Sequence, residues 1–440
     1  MHDYFFAHIK SILGERFDDF KAAYENKPRH KALRVNTLKI SVDGFVALAN
    51  KYERAGVREY GLRKNPLCGQ SFYTTVKPSA DPLYHAGLYY MQEPSASAAV
   101  AAFAPFIGER ALDLCAAPGG KSTQAAAFMT GGTIFCNEIE YSRARALVEN
   151  LDRLGVNNAI ATVGDGAMYR AAGYDGYFDT LIVDAPCSGG GMMRYETVPY
   201  SAEIVAGCAD RQRAILDDAA ELLCLDGYML YSTCTFAPEE NEKQVEYLLG
   251  KGFETVDIPL RDGEERGINI RDARRIYPHN FDGEGHFYCV LQKKSGRRGD
   301  IKVERAKPIK DGFYDFRGTT VAAPIEAKTD GLKVIRAGTA VYEKPQGGKV
   351  GRNAKAAKQA AEYTHAFTHA IDREKLAAAT ADLDMSDAEK YIRGEQLDVA
   401  APKGNVIVTV DGFALGKGKV ADDGAGSLVL KNLYPKSLRI

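Results

Sequence analysis

Between residues 95 and 294 short apolar runs alternate with helical stretches, and this alternation restricts the fold more than any other feature of the chain. Ala111-Leu112-Asp113-Leu114, Thr133-Ile134-Phe135-Cys136, Ala159-Ile160-Ala161-Thr162-Val163, Thr180-Leu181-Ile182-Val183 and Tyr228-Met229-Leu230-Tyr231 each read as a buried strand. Helical segments such as Arg143 to Leu154 and Asp210 to Leu225 lie between them. Strands that alternate with helices predict an α/β fold with a parallel, doubly wound sheet. Such sheets bind ligands at the carboxyl ends of their strands, so chemistry is to be sought there.

The flanks read differently. A chain of 440 residues is too long for one ordinary core and predicts roughly two to four domains. Residues 1–94 read as a small α+β domain and 95–294 as the main domain. Residues 295–370 are basic and rich in Gly, Pro and Lys, reading as linker plus a small C-terminal domain. Residues 371–440 read as a compact β-rich module, with a capped helix from Ser386 to Tyr391, a strand from Asn405 to Val410 and a Gly-Lys alternation at 416–419. No apolar run reaches the roughly 18 residues of a membrane helix, and Met1 to Phe6 do not look like a secretory signal. The expectation is a cytoplasmic protein with no membrane partner.

Eight scattered cysteines without a C-x-x-C pair predict thiols rather than a disulfide framework or a zinc site, and no metal is expected. The net charge of −1 names no partner. Its distribution says more: residues 296–365 hold 15 Lys plus Arg against 8 Asp plus Glu, and Lys27 to Lys39 carries five Lys or Arg without an acid. Local basic patches fit phosphate contacts to a nucleic acid, although solvated faces look the same.

Four short segments carry the chemistry. In Asp113-Leu114-Cys115-Ala116-Ala117-Pro118-Gly119-Gly120-Lys121-Ser122 a strand leads through small residues into a helix, so a ligand can approach the backbone and the free N–H groups of the helix start. A phosphate-binding loop requires glycine five positions before Gly120, where Cys115 stands, and is excluded. Acids then end three later strands: Glu138, placed to accept hydrogen bonds from ribose hydroxyls, Asp165, placed to read an adenine edge, and Asp184. Singly each reads as a helix cap; in order behind a glycine turn they point to a nucleoside cofactor without phosphates. Finally, Asp184-Ala185-Pro186-Cys187-Ser188-Gly189 and Tyr231-Ser232-Thr233-Cys234-Thr235 each place a cysteine just past a core strand. A thiol there, near helix N-termini or Lys121, is a candidate nucleophile. Carbon 5 of cytosine is too weakly nucleophilic to take a methyl group directly, and a thiolate added at carbon 6 activates it. Loss of the carbon-5 proton and of the thiol then restores the ring. Local chemistry does not decide which cysteine attacks.

These segments, with Pro278-His279 and Gly283-Glu284-Gly285-His286-Phe287, resemble the Sun/Nop family of RNA cytosine-5 methyltransferases. Arg34-Val35-Asn36-Thr37-Leu38, Tyr90 to Ser97 and Gly416 to Lys436 make the chain most similar to that family's bacterial ribosomal small-subunit methyltransferase F group. The resemblance covers nearly the whole chain and is weakest over 296–370. It implies a Rossmann-like class I methyltransferase sheet, an N-terminal RNA-binding domain and a PUA-like RNA-binding domain at the end. It implies that the backbone of Cys115, Ala116, Ala117, Pro118, Gly119, Gly120 and Lys121 holds the methionine part of S-adenosylmethionine. Glu138, where many relatives have Asp, would bind the ribose, and Asp165 would lie near the adenine. Asp184 would sit near both cofactor and target base. Cys234 would be the nucleophile and Cys187 would help resolve the covalent intermediate. In DNA cytosine-5 methyltransferases the Pro-Cys cysteine attacks, which here would be Cys187; the resemblance alone selects Cys234. The implied substrate is 16S rRNA, free or in the 30S subunit, with a monomeric enzyme. A tRNA substrate, a DNA cytosine methyltransferase and a non-catalytic RNA-binding assembly factor are the alternatives.

Overall fold

The computed structural model describes residues 3–26, 28, 30–193, 199–309, 313–342, 364–370 and 379–438. Lys27, Arg29 and much of the basic stretch 296–365 therefore lie outside the described residues, as do 371–378.

The chain opens with two amphipathic helices, α1 (Asp3–Leu13) and α2 (Phe17–Asn26). Phe5, Ile9 and Leu13 recur four residues apart on α1, and Phe17, Phe20 and Tyr24 share one side of α2. These stripes pack with Met193, Tyr200, Phe236 and Tyr277 of the central domain. Next come β1 (Ala32–Val35), α3 (Val42–Arg54), β2 (Arg63–Lys64), β3 (Ser71–Tyr73), α4 (Pro82–His85) and β4 (Tyr89–Met91). They form an antiparallel sheet in the order β2-β3-β1-β4. Residues 1–94 are thus the expected α+β mixture.

The central domain runs α5 (Ala96–Phe103), β5 (Arg110–Asp113), α6 (Gly120–Phe128), β6 (Thr133–Glu138), α7 (Tyr141–Arg153), β7 (Ala159–Val163), α8 (Gly166–Ala171), β8 (Phe178–Asp184), α9 (Ala202–Leu222) and β9 (Leu223–Thr233). It continues through α10 (Glu242–Leu249), β10 (Phe253–Thr255), β11 (Glu264–Arg266), β12 (Arg274–Ile276) and β13 (His286–Lys293). All five expected strands form, and β7-β6-β5-β8-β9 lie parallel in that order. Their near-continuous apolar runs have a direct cause, because both faces of the sheet are covered. Leu181, Val183, Met229 and Tyr231 enter one core, while the alternating Ile182 and Leu230 enter the other.

Two expectations need correction. The sheet is mixed rather than wholly parallel: β13 runs antiparallel to β9, and β10 and β12 pair with its other edge. The chain returns along β9 through short strands instead of a single crossover helix. The helix expected from Asp210 to Leu225 starts earlier, at Ala202, where the Ser201 hydroxyl accepts from Ile204 N at 3.3 Å. It ends at Leu222, and Leu223 to Leu225 open β9. Apolar residues without punctuation do not reveal where a buried helix becomes a buried strand.

The C-terminal half is less separate than expected. Val334–Ala337 joins the main sheet antiparallel to β7, and the helix His365–Ala370 packs against α7. Residues expected to form a linker and a small domain therefore extend the central domain. The last module has five strands, with Thr380–Leu383 parallel to Gly404–Val410 and the others antiparallel. Its helix, Met385–Arg393, is capped by Asp384, whose carboxylate accepts from Asp387 N at 2.8 Å, and closes on the left-handed Gly394. This module shares a core with the N-terminal domain, Ala381, Tyr391, Val406 and Leu430 packing in one cluster with Leu33, Phe45 and Leu83.

Candidate active site

The strand order reverses between β5 and β8, and the candidate residues converge at the carboxyl ends of β5, β6, β8 and β9. Asp113 ends β5 fully buried, accepting from the Ser122 hydroxyl at 2.7 Å and from Cys115 N at 3.3 Å. One carboxylate therefore ties together both ends of the loop between strand and helix. Within it the Ala117-Pro118 bond is cis and Gly119 lies at φ +109°, a conformation that favours glycine. The loop carbonyls are held from outside: Arg143 donates to Ala117 O and Asn150 to Pro118 O, each at 3.0 Å.

The sequence motif began at Asp113 but assigned cofactor contacts only from Cys115 onward; Asp113 belongs to the loop's framework. Burial pushes its carboxyl up to about 7 against the hydrogen bond from Ser122. Burial and the neighbouring carboxylates Asp113, Asp184 and Glu138 push the Cys115 thiol well up, which leaves it unsuited to nucleophilic work. Glu138 is 2 % exposed at the end of β6; its Oε1 accepts from Glu140 N at 3.1 Å and lies 3.4 Å from an Arg143 nitrogen. Asp165 caps α8, accepting from Met168 N at 3.0 Å, so the plain helix-cap reading holds for one of its oxygens. Carboxylates gathered around a loop of small residues suit a cationic, nucleoside-bearing ligand and repel a polyphosphate.

At the other end of the site, β8 and β9 lie side by side with Asp184 in register with Ser232. Cys187 and Cys234 follow these paired residues closely, and their sulfurs come within 3.2 Å of each other as free thiols. Long-range contacts fix this pair. Glu240, fully buried, accepts from Ser188 N at 2.9 Å, from the Ser188 hydroxyl and from Gln212 Nε2 at 3.1 Å. The hydroxyls of Ser188 and Thr235 meet at 2.9 Å, and Gly191 N donates to Cys234 O at 3.0 Å. From the N-terminal domain, the Tyr24 hydroxyl donates to Gly190 O at 2.8 Å. The hydrogen bond to Cys234, then burial, push the Cys187 thiol well above its ordinary value. At this distance either thiol can donate to the other sulfur.

Asp184 joins the two ends. Its Oδ2 lies 2.8 Å from Lys121 Nζ, and its Oδ1 accepts from the Ser232 hydroxyl at 2.7 Å. Burial alone raises its carboxyl, but the Lys121 charge and these hydrogen bonds outweigh that and hold it below the usual carboxylate range. Lys121, expected beside a thiol, instead pairs with this carboxylate. His286 lies 3.9 Å from Asp184 Oδ1, 3 % exposed, and burial lowers it to about 3, so it is neutral. The sequence grouped His286 with a motif without giving it a role, and nothing singled out Glu240.

The basic patch is also redistributed. Of its described members Lys31 is exposed, but Arg34 is 3 % exposed and Lys39 donates to the carbonyls of Ala86 and Arg153. Both point into the junction with the central domain.

Comparison with known proteins agrees with this organisation. The profile for 16S rRNA methyltransferase RsmB/F matches residues 100–292. That for the N-terminal domain of 16S rRNA methyltransferase RsmF matches 1–94, and that for the methyltransferase RsmF PUA domain matches 378–440. A ribosomal RNA small subunit methyltransferase F of Klebsiella pneumoniae is 32% identical over 96% of this chain and 92% of its own length. The protein of the same name from Serratia proteamaculans is 37% identical, over 63% of this chain and 59% of that relative. A solved methyltransferase homologue from Pyrococcus horikoshii is 30% identical with a TM-score of 0.57, covering 65% of this chain and 93% of that one.

Proposed function

The chain belongs to the ribosomal RNA small subunit methyltransferase F family, and from that premise we propose that it methylates carbon 5 of cytosine in 16S rRNA from S-adenosylmethionine. One observation supports the chemistry above all: two free thiols 3.2 Å apart, beside the ion pair of Asp184 and Lys121.

S-adenosylmethionine, when bound, supplies an electrophilic methyl group. The loop from Cys115 to Lys121 holds its methionine end, Glu138 its ribose hydroxyls, and Asp165 lies by the adenine. Asp184, kept ionised by Lys121 and Ser232, accepts hydrogen bonds from the cytosine ring and orients it. The Cys234 thiolate would add to carbon 6, and the electron pair this places on carbon 5 would form the bond to the methyl carbon as the methyl–sulfonium bond breaks, its pair staying on sulfur and S-adenosylhomocysteine leaving. Carbon 5 then loses its proton to a base, the double bond re-forms and the bond from sulfur to carbon 6 breaks. Cys187 would assist this last step, because an S–H on it, 3.2 Å from the Cys234 sulfur, can donate to the departing thiolate. The resemblance of Tyr231 to Thr235 to the family's motif supports Cys234 as the attacking group, a choice the local sequence leaves open.

The terminal domains would grip the RNA around the extruded base, and the site of action would be the cytoplasm. Incubation with labelled S-adenosylmethionine and 16S rRNA or 30S particles, followed by nucleoside analysis, tests the proposal. It expects label in 5-methylcytosine; label only in other nucleosides, or none on any of these substrates, would contradict it.

A further inference from the structure

Arg34, Asn36 and Lys39 occur within six residues of the N-terminal domain, and all three donate to backbone carbonyls of the central domain. Asn36 donates to Leu154 O at 2.8 Å and Lys39 to Arg153 O at 3.0 Å, both where α7 ends. Arg34 reaches a different place. From β1 it donates to Gly120 O at 2.5 Å and to the Thr123 hydroxyl at 2.8 Å, and it is braced by Gln92 Oε1 at 2.5 Å. The Thr123 hydroxyl in turn donates to Gly119 O at 2.7 Å. Two consecutive carbonyls at the tip of the cofactor loop are therefore tied to a single guanidinium, that of the left-handed Gly119 indirectly and in addition to its backbone bond from Thr123 N at 2.9 Å. The fit is close on that side, since a side chain on Gly120 would meet the Tyr90 ring at 3.2 Å.

The charge of Arg34 is otherwise poorly placed. It is buried at the start of α6, where the helix dipole disfavours a cation, and among the described residues it makes no ion pair with a carboxylate. Burial pulls its guanidinium down to about 10, still charged at neutral pH. Its planar fork of donors fixes the geometry of the acceptors it holds more tightly than a neutral side chain would.

We propose that Arg34 is a positioning residue for the cofactor: through Gly120, Thr123 and Gly119 it locks the loop of the central domain in the shape that binds S-adenosylmethionine. The assignment rests on the reading of Cys115 to Lys121 as the cofactor loop. It gives the N-terminal domain a second task, beyond any contact with RNA.

The test compares full-length Arg34→Met, Arg34→Lys, Thr123→Val and Lys39→Met with the parent protein. Binding of S-adenosylmethionine is measured by calorimetry, and steady-state kinetics are run with RNA. Arg34→Met is expected to weaken the cofactor about tenfold or more, with Arg34→Lys and Thr123→Val between it and the parent. KM for the cofactor should rise while kcat and KM for RNA stay within about threefold. Lys39→Met, which disturbs the same junction away from the loop, should leave cofactor affinity within about twofold. Should Arg34→Met fail to fold, the Lys and Val variants report the same contacts. Unchanged affinity in the Arg34 and Thr123 variants, or equal losses in Lys39→Met, would overturn the assignment. A parent protein that bound no S-adenosylmethionine would overturn the cofactor reading itself, and this inference with it.

Discussion

The two ends of the active site are built in opposite ways. At the proposed cofactor end the loop itself is one continuous stretch from Asp113 to Ser122, tied together by the Asp113 carboxylate, with Arg143, Asn150 and Arg34 holding its carbonyls from outside. The thiol end is discontinuous: Cys187 and Cys234 meet only because β8 and β9 pair, and Glu240, Gln212 and Tyr24 arrive from three further places to hold them. The cofactor end needs to present a surface. The thiol end must set the proton affinities of two sulfurs, and that requires side chains fixed by tertiary packing. Asp184 alone touches both, through Lys121 on one side and Ser232 on the other.

This contrast is open to attack by substitution. Cys234→Ala should separate the ends most sharply, lowering methylation by about a thousandfold or more while cofactor affinity stays within about twofold. Asp184→Asn should fail to separate them. Turnover is expected to fall about a hundredfold and cofactor binding to weaken as well, because Lys121 loses its counter-charge beside the loop. An effect on turnover alone would confine Asp184 to the thiol end.

The smallest effect concerns the cofactor end by itself. Asp113 has a folded pKa of about 7, raised above that of an unfolded carboxylate. Between about pH 4 and 7 the folded state holds a proton that the unfolded state has released, so stability falls as pH rises, and above about 7 the loss is complete. Asp113→Asn removes this dependence, since the Ser122 hydroxyl that donates to Asp113 can accept from the new amide. Thermal melts of the ligand-free protein should show the variant higher by about 2–4 °C at pH 8, with the gap closing near pH 5. A gap that did not depend on pH would show that the Asp113 carboxyl is not titrating in this range.

What was legible in the sequence follows the same division. Asp113 to Ser122 could be read as a ligand loop because its neighbours in sequence are its neighbours in space. The five parallel strands were legible because burial on both faces makes their apolar runs continuous. The two cysteines were recognisable as strand-end residues, but the meeting of their sulfurs was not, since it depends on the pairing of β8 with β9. Glu240 gave no signal, because a buried carboxylate among Pro, Glu and Asn looks like any turn. Arg34 and Lys39 misled, for composition counts charge without its direction, and both turn inward. The edge strand Val334–Ala337 was hidden in a stretch that composition alone presents as linker.

The central claim is that Cys234 attacks and Cys187 releases. Its most direct test is to incubate Cys187→Ala and the double variant Cys187→Ala/Cys234→Ala with S-adenosylmethionine and 16S rRNA, and to resolve protein–RNA adducts by denaturing electrophoresis and mass spectrometry. The account predicts a stable adduct for Cys187→Ala, attached at Cys234, and none for the double variant. An adduct that forms with Cys234→Ala and is lost with Cys187→Ala would reverse the roles and contradict the account.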